Sequence, residues 1–117
     1  MKARSLILRL TDVIEAIERI RGVLGEMTLE AFEADWEKQW LVERGVEIIS
    51  EASRHLTDEL KAHHPSIPWQ KVAGIGNVLR HDYEDIAAPI MWKLALVDLP
   101  ELEEVCREEL SSLTSNE

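Results

Sequence analysis

The sequence predicts an all-α fold, a four- to five-helix up-and-down bundle. Two observations carry this prediction. Glycine and proline are scarce among the 117 residues, with five and four copies, whereas the helix formers Leu, Ala, Glu and Arg are abundant. Apolar residues also recur at steps of three and four along most of the chain, which is the period of an amphipathic helix. The connections between these stretches are short, which favours antiparallel packing of neighbouring helices.

The first half of the chain is predicted to form three helices. The first ends near Gly25, and its apolar stripe consists of Leu6, Leu10, Val13, Ile17, Ile20 and Leu24. Thr28 is suited to cap a short helix over about 29–36. A long helix then covers about 38–62, because its apolar residues continue to Leu60. It ends before Pro65, since the residue preceding a proline avoids the helical region.

The second half is predicted to continue with a helix over about 68–81, with Pro68 in its first turn and Ser66 as a cap. Pro89 is then expected to open an apolar helix that ends near Val97.

A final helix completes the prediction. The stretch Asp98-Leu-Pro-Glu101 has the form of a capping box with proline in the first turn. The domain is expected to cover residues 1–113, and residues 114–117 are expected to form a flexible tail.

Tryptophan is unusually frequent for so short a chain, with four copies. Trp36 and Trp40 are four residues apart and share one helical edge. Two interpretations remain open: these rings pack in the core, or they form a contact in a dimer. A bundle of this size has a large surface for its volume, so a partner subunit would help it to bury apolar rings.

The formal net charge of −10 argues against a general nucleic-acid binder, because phosphate backbones favour Lys and Arg. Cys106 is the only cysteine, so no disulfide forms within the chain, and we expect it to be a small core residue. The N-terminus lacks the pattern of a signal peptide, and no apolar run is long enough to span a bilayer. We therefore expect a soluble, cytoplasmic protein.

The distribution of charge is more informative than its sum. Residues 61–81 contain no Asp or Glu, although the composition predicts about four acids in a window of this length. The same window contains three of the four histidines together with Lys61, Lys71 and Arg80. Such a window predicts a basic face for one nucleotide or phosphodiester. The alternative is a segment selected for apolar packing alone.

The end of the helix over 68–81 contains the most reactive group of residues. Asn77 and His81 are four apart and share a helix face, with Arg80 beside them and Tyr83 just past the helix end. Imidazole transfers protons near neutral pH, guanidinium stabilises phosphoryl charge, and an amide orients a phosphate or ribose. These residues therefore suit phosphodiester chemistry. In the alternative interpretation, Arg80 complements the helix dipole and His81 caps the helix.

Metal chemistry has weaker support. Glu51 with His55, and Glu59 with His63, have a spacing that can hold a metal, but the Glu-x-x-His pairs of di-iron bundles are absent. The chain has no Walker loop, nucleotide-binding glycine fingerprint or Cys-x-x-Cys motif. We expect no metal and no cofactor.

Two blocks of sequence resemble the HepT-like branch of the HEPN family. They are PSIPWQKVAGIGNVLRHDYEDI, which begins at Pro65, and MWKLALVDLPELEEV, which begins at Met91. The earlier stretch IISEASRHLTDEL extends the resemblance over nearly the whole chain. In this branch the usual pattern is Pro-x-Ile-Pro-Trp, then Arg-Asn, three residues, His, one residue and Tyr. Asn77, His81 and Tyr83 match the Asn, His and Tyr of that motif.

The resemblance implies a dimeric HEPN-like bundle in which the motif helices of two chains line one cleft. It implies a metal-independent endoribonuclease toxin that acts on RNA. It also implies a partner, a small nucleotidyltransferase antitoxin that in some pairs adds AMP to the motif tyrosine, here Tyr83. In the resulting hypothesis His81, Arg80 and Asn77 are catalytic, and Tyr83 and Lys71 bind the substrate.

The chain departs from the family pattern at one position, because Gly76 stands where the motif has arginine. One interpretation is that Arg80, one turn further along the same face, supplies the guanidinium, and that Gly76 leaves an open notch for it. The other is a degenerate site that keeps the dimer and has lost catalysis. Such a chain would be a nucleotide- or partner-binding module. A plain dimeric helical scaffold is a third possibility.

Overall fold

The computed structural model describes the backbone of residues 2–81 and 84–115, and the side chains of residues 4–77 and 88–115. Within these ranges every regular element is helical, and the all-α prediction is confirmed. In chain order the elements are α1 (Lys2–Leu24), α2 (Leu29–Glu33), α3 (Trp36–Ser53), α4 (Asp58–Ala62), α5 (Trp69–His81), α6 (Glu84–Lys93), a π-helical segment (Leu94–Asp98) and α7 (Leu99–Ser115).

The core lies between α1, α3 and α7, and α5 packs on the other side of α3. The predicted stripe of α1 is confirmed, because its members from Leu10 to Leu24 are at most 5% exposed. Phe32 of α2 is fully buried and contacts Trp92 of α6, with ring centroids 5.7 Å apart. Cys106 is buried in α7, as expected. No helix among the described residues combines the length and apolarity needed to cross a membrane.

The predicted signals at the first two helix ends are confirmed. Gly25 follows α1 with a φ of 49°, a left-handed conformation that favours glycine. The Thr28 hydroxyl accepts a hydrogen bond from the Ala31 N–H at 3.1 Å and caps α2. The Asp35 carboxylate accepts from the Lys38 N–H at 3.1 Å and caps α3.

The predicted long helix over 38–62 is wrong, because α3 ends at Ser53 and a separate helix begins at Asp58. The Ser53 hydroxyl donates to the Ser50 carbonyl, a local bond that competes with the helical pattern. Thr57 then caps α4 by accepting from the Leu60 N–H at 3.1 Å. Leu56, between the helices, remains buried, which explains why the apolar spacing predicted a single helix.

The prediction that Pro89 opens a helix is also wrong. Pro89 lies inside α6, five residues after the helix begins at Glu84. Proline has no N–H to donate to the carbonyl one turn back in the helix. Because Pro89 is exposed, water can donate to that carbonyl instead.

The junction of α6 with α7 contains a second difference from the prediction. The Leu99 N–H bonds to the Leu94 carbonyl five residues back, so the backbone stays helical through Asp98. No free helix start therefore exists at Asp98 for a capping box to satisfy. The last helix continues to Ser115, past the start of the predicted tail, and residues 116–117 lie outside the described residues.

The structure excludes one of the two interpretations of the tryptophan pair, which is packing in the core. Trp36 is 60% exposed and Trp40 is 67% exposed, so neither ring packs in the core of this chain. Their centroids are 5.0 Å apart in an edge-to-face arrangement. The neighbouring Leu41 is exposed as well, so the first half of α3 presents an apolar surface.

Candidate functional site

Helix α5, which contains the predicted site residues, is anchored at both its start and its middle. The Trp69 indole N–H lies 3.1 Å from the Lys61 carbonyl oxygen and 3.0 Å from that of His64, so it ties α5 to the end of α4. In the middle, the Ser50 hydroxyl of α3 donates to the Ala73 carbonyl at 2.5 Å. The Ser66 hydroxyl donates to Glu101 of α7, so its observed role is a contact between segments.

Gly76 is buried at the contact between α5 and α3, so the expectation of an open notch at this position is wrong. A Cβ atom built there would lie 3.5 Å from both Cβ and Oγ of Ser50, and 3.8 Å from Cα of Glu47. These are ordinary van der Waals distances. Position 76 therefore faces α3, and a methyl group there would fit without strain.

Asn77 is exposed one residue later in the helix. The backbone of α5 continues through Arg80 and His81, which places both in its last turn. Their side chains, and the whole of Tyr83, lie outside the described residues. The structure thus gives a continuous helix from Asn77 to His81, on which residues four apart share a face.

Lys71 is also exposed, but it is six residues before Asn77, so the two project about 120° apart around the helix. Lys71 lines a cavity of about 290 Å³ between α5, the π-helical segment and α7. Its other lining residues are largely apolar and include Ile67, Val72 and Ile75, together with the charged Lys93 and Glu101. The structure therefore does not bring Lys71 together with Asn77.

The stretch without acids, residues 61–81, does not form an acid-free face. The Glu109 carboxylate of α7 lies 2.6 Å from Nε2 of His64 and 3.7 Å from Nδ1 of His63. Glu101 accepts from Ser66, and Glu47 of α3 lies beside Gly76. Two carboxylates of α7 therefore contact this segment, at His64 and at Ser66, and the prediction of an acid-free basic face is wrong for this part of it.

Arg54, at the end of α3, is a cation next to α5 that the sequence analysis missed. Its Nη1 donates to the Ala73 carbonyl at 3.2 Å, and its Nη2 donates to Glu51 Oε2 at 2.5 Å. Nε2 of His55 lies 3.1 Å from the other oxygen of Glu51. The hydrogen bonds from Arg54 and His55 lower the pKa of Glu51, so its carboxylate stays charged.

The sequence contains a signal for this cluster. Arg54 and His55 follow Glu51 by three and four residues, a spacing that brings side chains together on one helix. The spacing of Glu51 and His55 also fits a metal pair. Among the described residues no group of three or more His, Cys, Asp or Glu side chains is arranged to hold a metal.

Comparison with known proteins adds independent information. The model of the family described as "Ribonuclease HepT-like" matches residues 13–109. A protein named "Probable ribonuclease HepT" from Thermococcus cleftensis is 38% identical over 93 residues, which are 80% of this chain and 84% of that protein. A "Putative RNase" from Caldanaerobacter subterraneus subsp. tengcongensis is 34% identical over 94 residues, 80% of each chain. No solved structure matches the chain significantly.

Proposed function

Because this chain belongs to the HepT-like ribonuclease family, we propose that it is an endoribonuclease that cuts RNA without a metal ion. The observation that carries the proposal is the family match over residues 13–109, which includes all of α5. The helix itself supports the proposal, since Asn77 is exposed and the backbone continues unbroken to His81.

In the proposed reaction His81 acts as a general base that removes the proton of a ribose 2′-hydroxyl. The oxygen attacks the adjacent phosphorus, and the bond from phosphorus to the 5′-oxygen breaks. A protonated imidazole, that of the second chain in a dimer, returns a proton to the leaving 5′-oxygen. The products are a 2′,3′-cyclic phosphate and a 5′-hydroxyl. Asn77 positions the phosphate, Arg80 stabilises its developing charge and Tyr83 contacts RNA.

The proposal includes a homodimer in which the α5 helices of two chains line one cleft. Gly74, on the α5 face that also carries Asn77, has no heavy atom within 4 Å of a built Cβ position. A helix face without a side chain allows close approach of another backbone. The exposed rings of Trp36 and Trp40 provide apolar area for the same assembly. Lys71, on a different face, contributes only longer-range attraction for RNA.

We further propose that the chain is the toxin of a toxin–antitoxin pair located in the cytoplasm. Its partner is a small nucleotidyltransferase, and addition of AMP to Tyr83 silences the nuclease. A bulky anion on this tyrosine would repel a phosphodiester from the neighbouring site. Mass spectrometry of the chain co-expressed with the product of an adjacent nucleotidyltransferase gene tests this step. A chain of unchanged mass, still active, would contradict it.

A second candidate function is a degenerate module that binds a nucleotide or a protein partner without catalysis. The observation that favours it is the burial of Gly76 against Ser50 and Glu47. The position at which the family motif has arginine provides no cation here. An arginine displaced by a few ångströms can cost about a hundredfold in rate.

One experiment separates the two functions. The purified protein is incubated with tRNA in the presence of EDTA, and 2′,3′-cyclic phosphate ends are measured. The endoribonuclease proposal expects cleavage that His81→Ala abolishes and Arg80→Ala reduces. Cleavage that EDTA abolishes would contradict the metal-independent mechanism. If the natural chain binds a nucleotide or a nucleotidyltransferase but cuts no RNA, the degenerate module is the correct function.

A further inference from the structure

The Arg54 side chain bridges two helices while remaining about half exposed, at 48%. It extends from the end of α3 to the Ala73 carbonyl of α5, at an Nη1–oxygen distance of 3.2 Å. This contact fixes the guanidinium against the helix that contains Asn77 and His81. An arginine restrained in this way has already lost much of its rotamer freedom, so binding an anion costs it little further entropy.

The position of this contact along α5 places the guanidinium close to Asn77. In an α-helix the Ala73 carbonyl also accepts the N–H of the residue four positions later, which is Asn77. The Cα–Cβ bond of a helical residue tilts toward the helix N-terminus, so the Asn77 amide leans over the turn that contains Ala73. Asn77 is exposed and Arg54 is half exposed, so a ligand in solvent can reach both side chains.

The hydrogen bonds of Arg54 leave part of its guanidinium unused. The group has five N–H donors, and the structure assigns one to Ala73 and one to Glu51. The remaining donors have no protein acceptor among the described residues, and the side chain is 48% exposed. The other oxygen of Glu51 lies 3.1 Å from Nε2 of His55, so this carboxylate is shared between two side chains. The guanidinium therefore keeps N–H donors that neither Ala73 nor Glu51 uses.

We propose that Arg54 binds a phosphate of the RNA next to Asn77 and thereby supplies the guanidinium that position 76 lacks. The inference rests on the proposed ribonuclease function and adds to it a substrate-contacting residue from α3. The planar guanidinium fits a phosphate with two parallel hydrogen bonds, which lysine cannot reproduce.

The experiment measures RNA binding separately from cleavage. The full-length protein is titrated with a short single-stranded 2′-O-methyl oligonucleotide, which lacks the attacking hydroxyl, over a range of salt concentrations. Arg54→Gln is expected to weaken binding by about tenfold to a hundredfold, as for loss of a charge-assisted hydrogen bond. The slope of log affinity against log salt is expected to fall by about 0.7, as for the loss of one phosphate contact on a single strand. Cleavage of natural RNA should fall by at least about tenfold.

Arg44→Gln is the matched control. It removes the same charge from the same helix about 15 Å away along the axis, at a side chain that is 72% exposed. It should leave the salt slope and cleavage unchanged. Arg54→Lys keeps the charge, and it addresses the case in which Arg54→Gln unfolds. Arg54→Lys is expected to keep the slope of log affinity against log salt. Its cleavage rate should fall, because lysine cannot form two parallel hydrogen bonds to a phosphate.

The outcomes distinguish this inference from the proposed function. If the natural chain cuts RNA and Arg54→Gln binds and cuts equally well, Arg54 only joins α3 to α5 and the inference is overturned alone. The same conclusion follows if Arg54→Lys cuts at the natural rate. If the natural chain neither binds the oligonucleotide nor cuts RNA, both proposals fall. If Arg44→Gln lowers the salt slope as much as Arg54→Gln, the effect is one of net charge, which also overturns the inference.

Discussion

Gly76 of α5 and Ser50 of α3 are in direct contact across the helix pair, at a distance that leaves room for one methyl group and little more. Glycine in a helix interior costs about 1 kcal/mol relative to alanine. Since the added Cβ would meet Ser50 at 3.5 Å, an ordinary contact, Gly76→Ala is expected to raise the free energy of unfolding by about 1 kcal/mol. Urea denaturation measures the change.

Gly45 of α3 provides the control for this prediction. A Cβ atom there would lie 2.7 Å from Cγ1 and 2.9 Å from Cδ1 of Ile20, which is 2% exposed. Overpacking of this kind costs about 1–3 kcal/mol, which outweighs the gain in helix propensity. Gly45→Ala should therefore destabilise the protein. Equal changes in the free energy of unfolding for Gly45→Ala and Gly76→Ala would contradict this difference between the two helix contacts.

Gly74→Ala tests the proposed dimer. With nothing within 4 Å of the added atom, the substitution should not disturb the isolated chain and should gain about 1 kcal/mol of helix propensity. If two α5 helices approach each other at Gly74, the methyl group should weaken the dimer about tenfold, as for a loss of about 1.4 kcal/mol. Sedimentation equilibrium measures the dissociation constant. An unchanged constant would place the dimer contact elsewhere.

The apolar surface of α3 allows an independent test of association. Trp40→Ser is expected to weaken the dimer without lowering the stability of the chain, because the ring is 67% exposed. Leu96→Ser, at a side chain that is 56% exposed in the π-helical segment, is the control and should leave association unchanged. Sedimentation of both variants at matched concentrations is the measurement. If the Trp40→Ser and Leu96→Ser dimers have the same dissociation constant, Trp40 does not lie in the dimer contact.

Stability should depend on pH through Glu103. Burial alone would raise the pKa of this carboxyl, but hydrogen bonds from Arg21 and Arg107 more than offset burial and lower it from 4.5. A carboxyl with a lowered pKa in the folded state stabilises the protein above its unfolded pKa, and this stability is lost as the pH falls. Glu103→Gln should cost about 1–2 kcal/mol at pH 7 and have a smaller effect below pH 4.

Thermal unfolding of this variant and the natural chain over pH 3–7 is the measurement. The two curves should converge at the acidic end. A difference in unfolding temperature that is constant with pH would contradict a role for the ionised carboxylate.

Cys106 should be unreactive in the folded protein. Its side chain is fully buried, and burial together with the nearby Glu109 charge raises the pKa of the thiol to about 12. The thiolate is the reactive form, so a thiol reagent at pH 8 should modify the chain only after denaturant is added. Rapid labelling of native protein would show that α7 opens locally.

The sequence predicted the helical class and most helix starts because these depend on local signals. Thr28 and Gly25 act on neighbouring backbone groups, so their roles follow from the residue types alone. The apolar spacing of α1 fixed its buried face. The prediction that Pro89 begins a helix was wrong because the energetic cost of proline inside a helix depends on its exposure. Exposure is a property of the whole fold.

The candidate site was less predictable for the same reason. The position of Asn77 on a helix face follows from periodicity, and the structure places it in solvent. The charge around the segment that leads into α5 does not follow, because Glu109 reaches His64 from α7. Arg54 is 19 residues before Ala73 in the sequence, and no local rule connects them. Only the packing of α3 against α5 brings this cation to the site.

The wide turn at Leu94–Asp98 sets the rotation of the last helix relative to the one before it. Each residue in an α-helix turns the chain by about 100°. Deleting one residue from this turn would restore a regular helix and rotate the buried side chains of α7, such as Leu102 and Cys106, out of the interior. Insertions or deletions in this short segment should therefore disrupt the packing of α7. Substitutions of its exposed side chains should not.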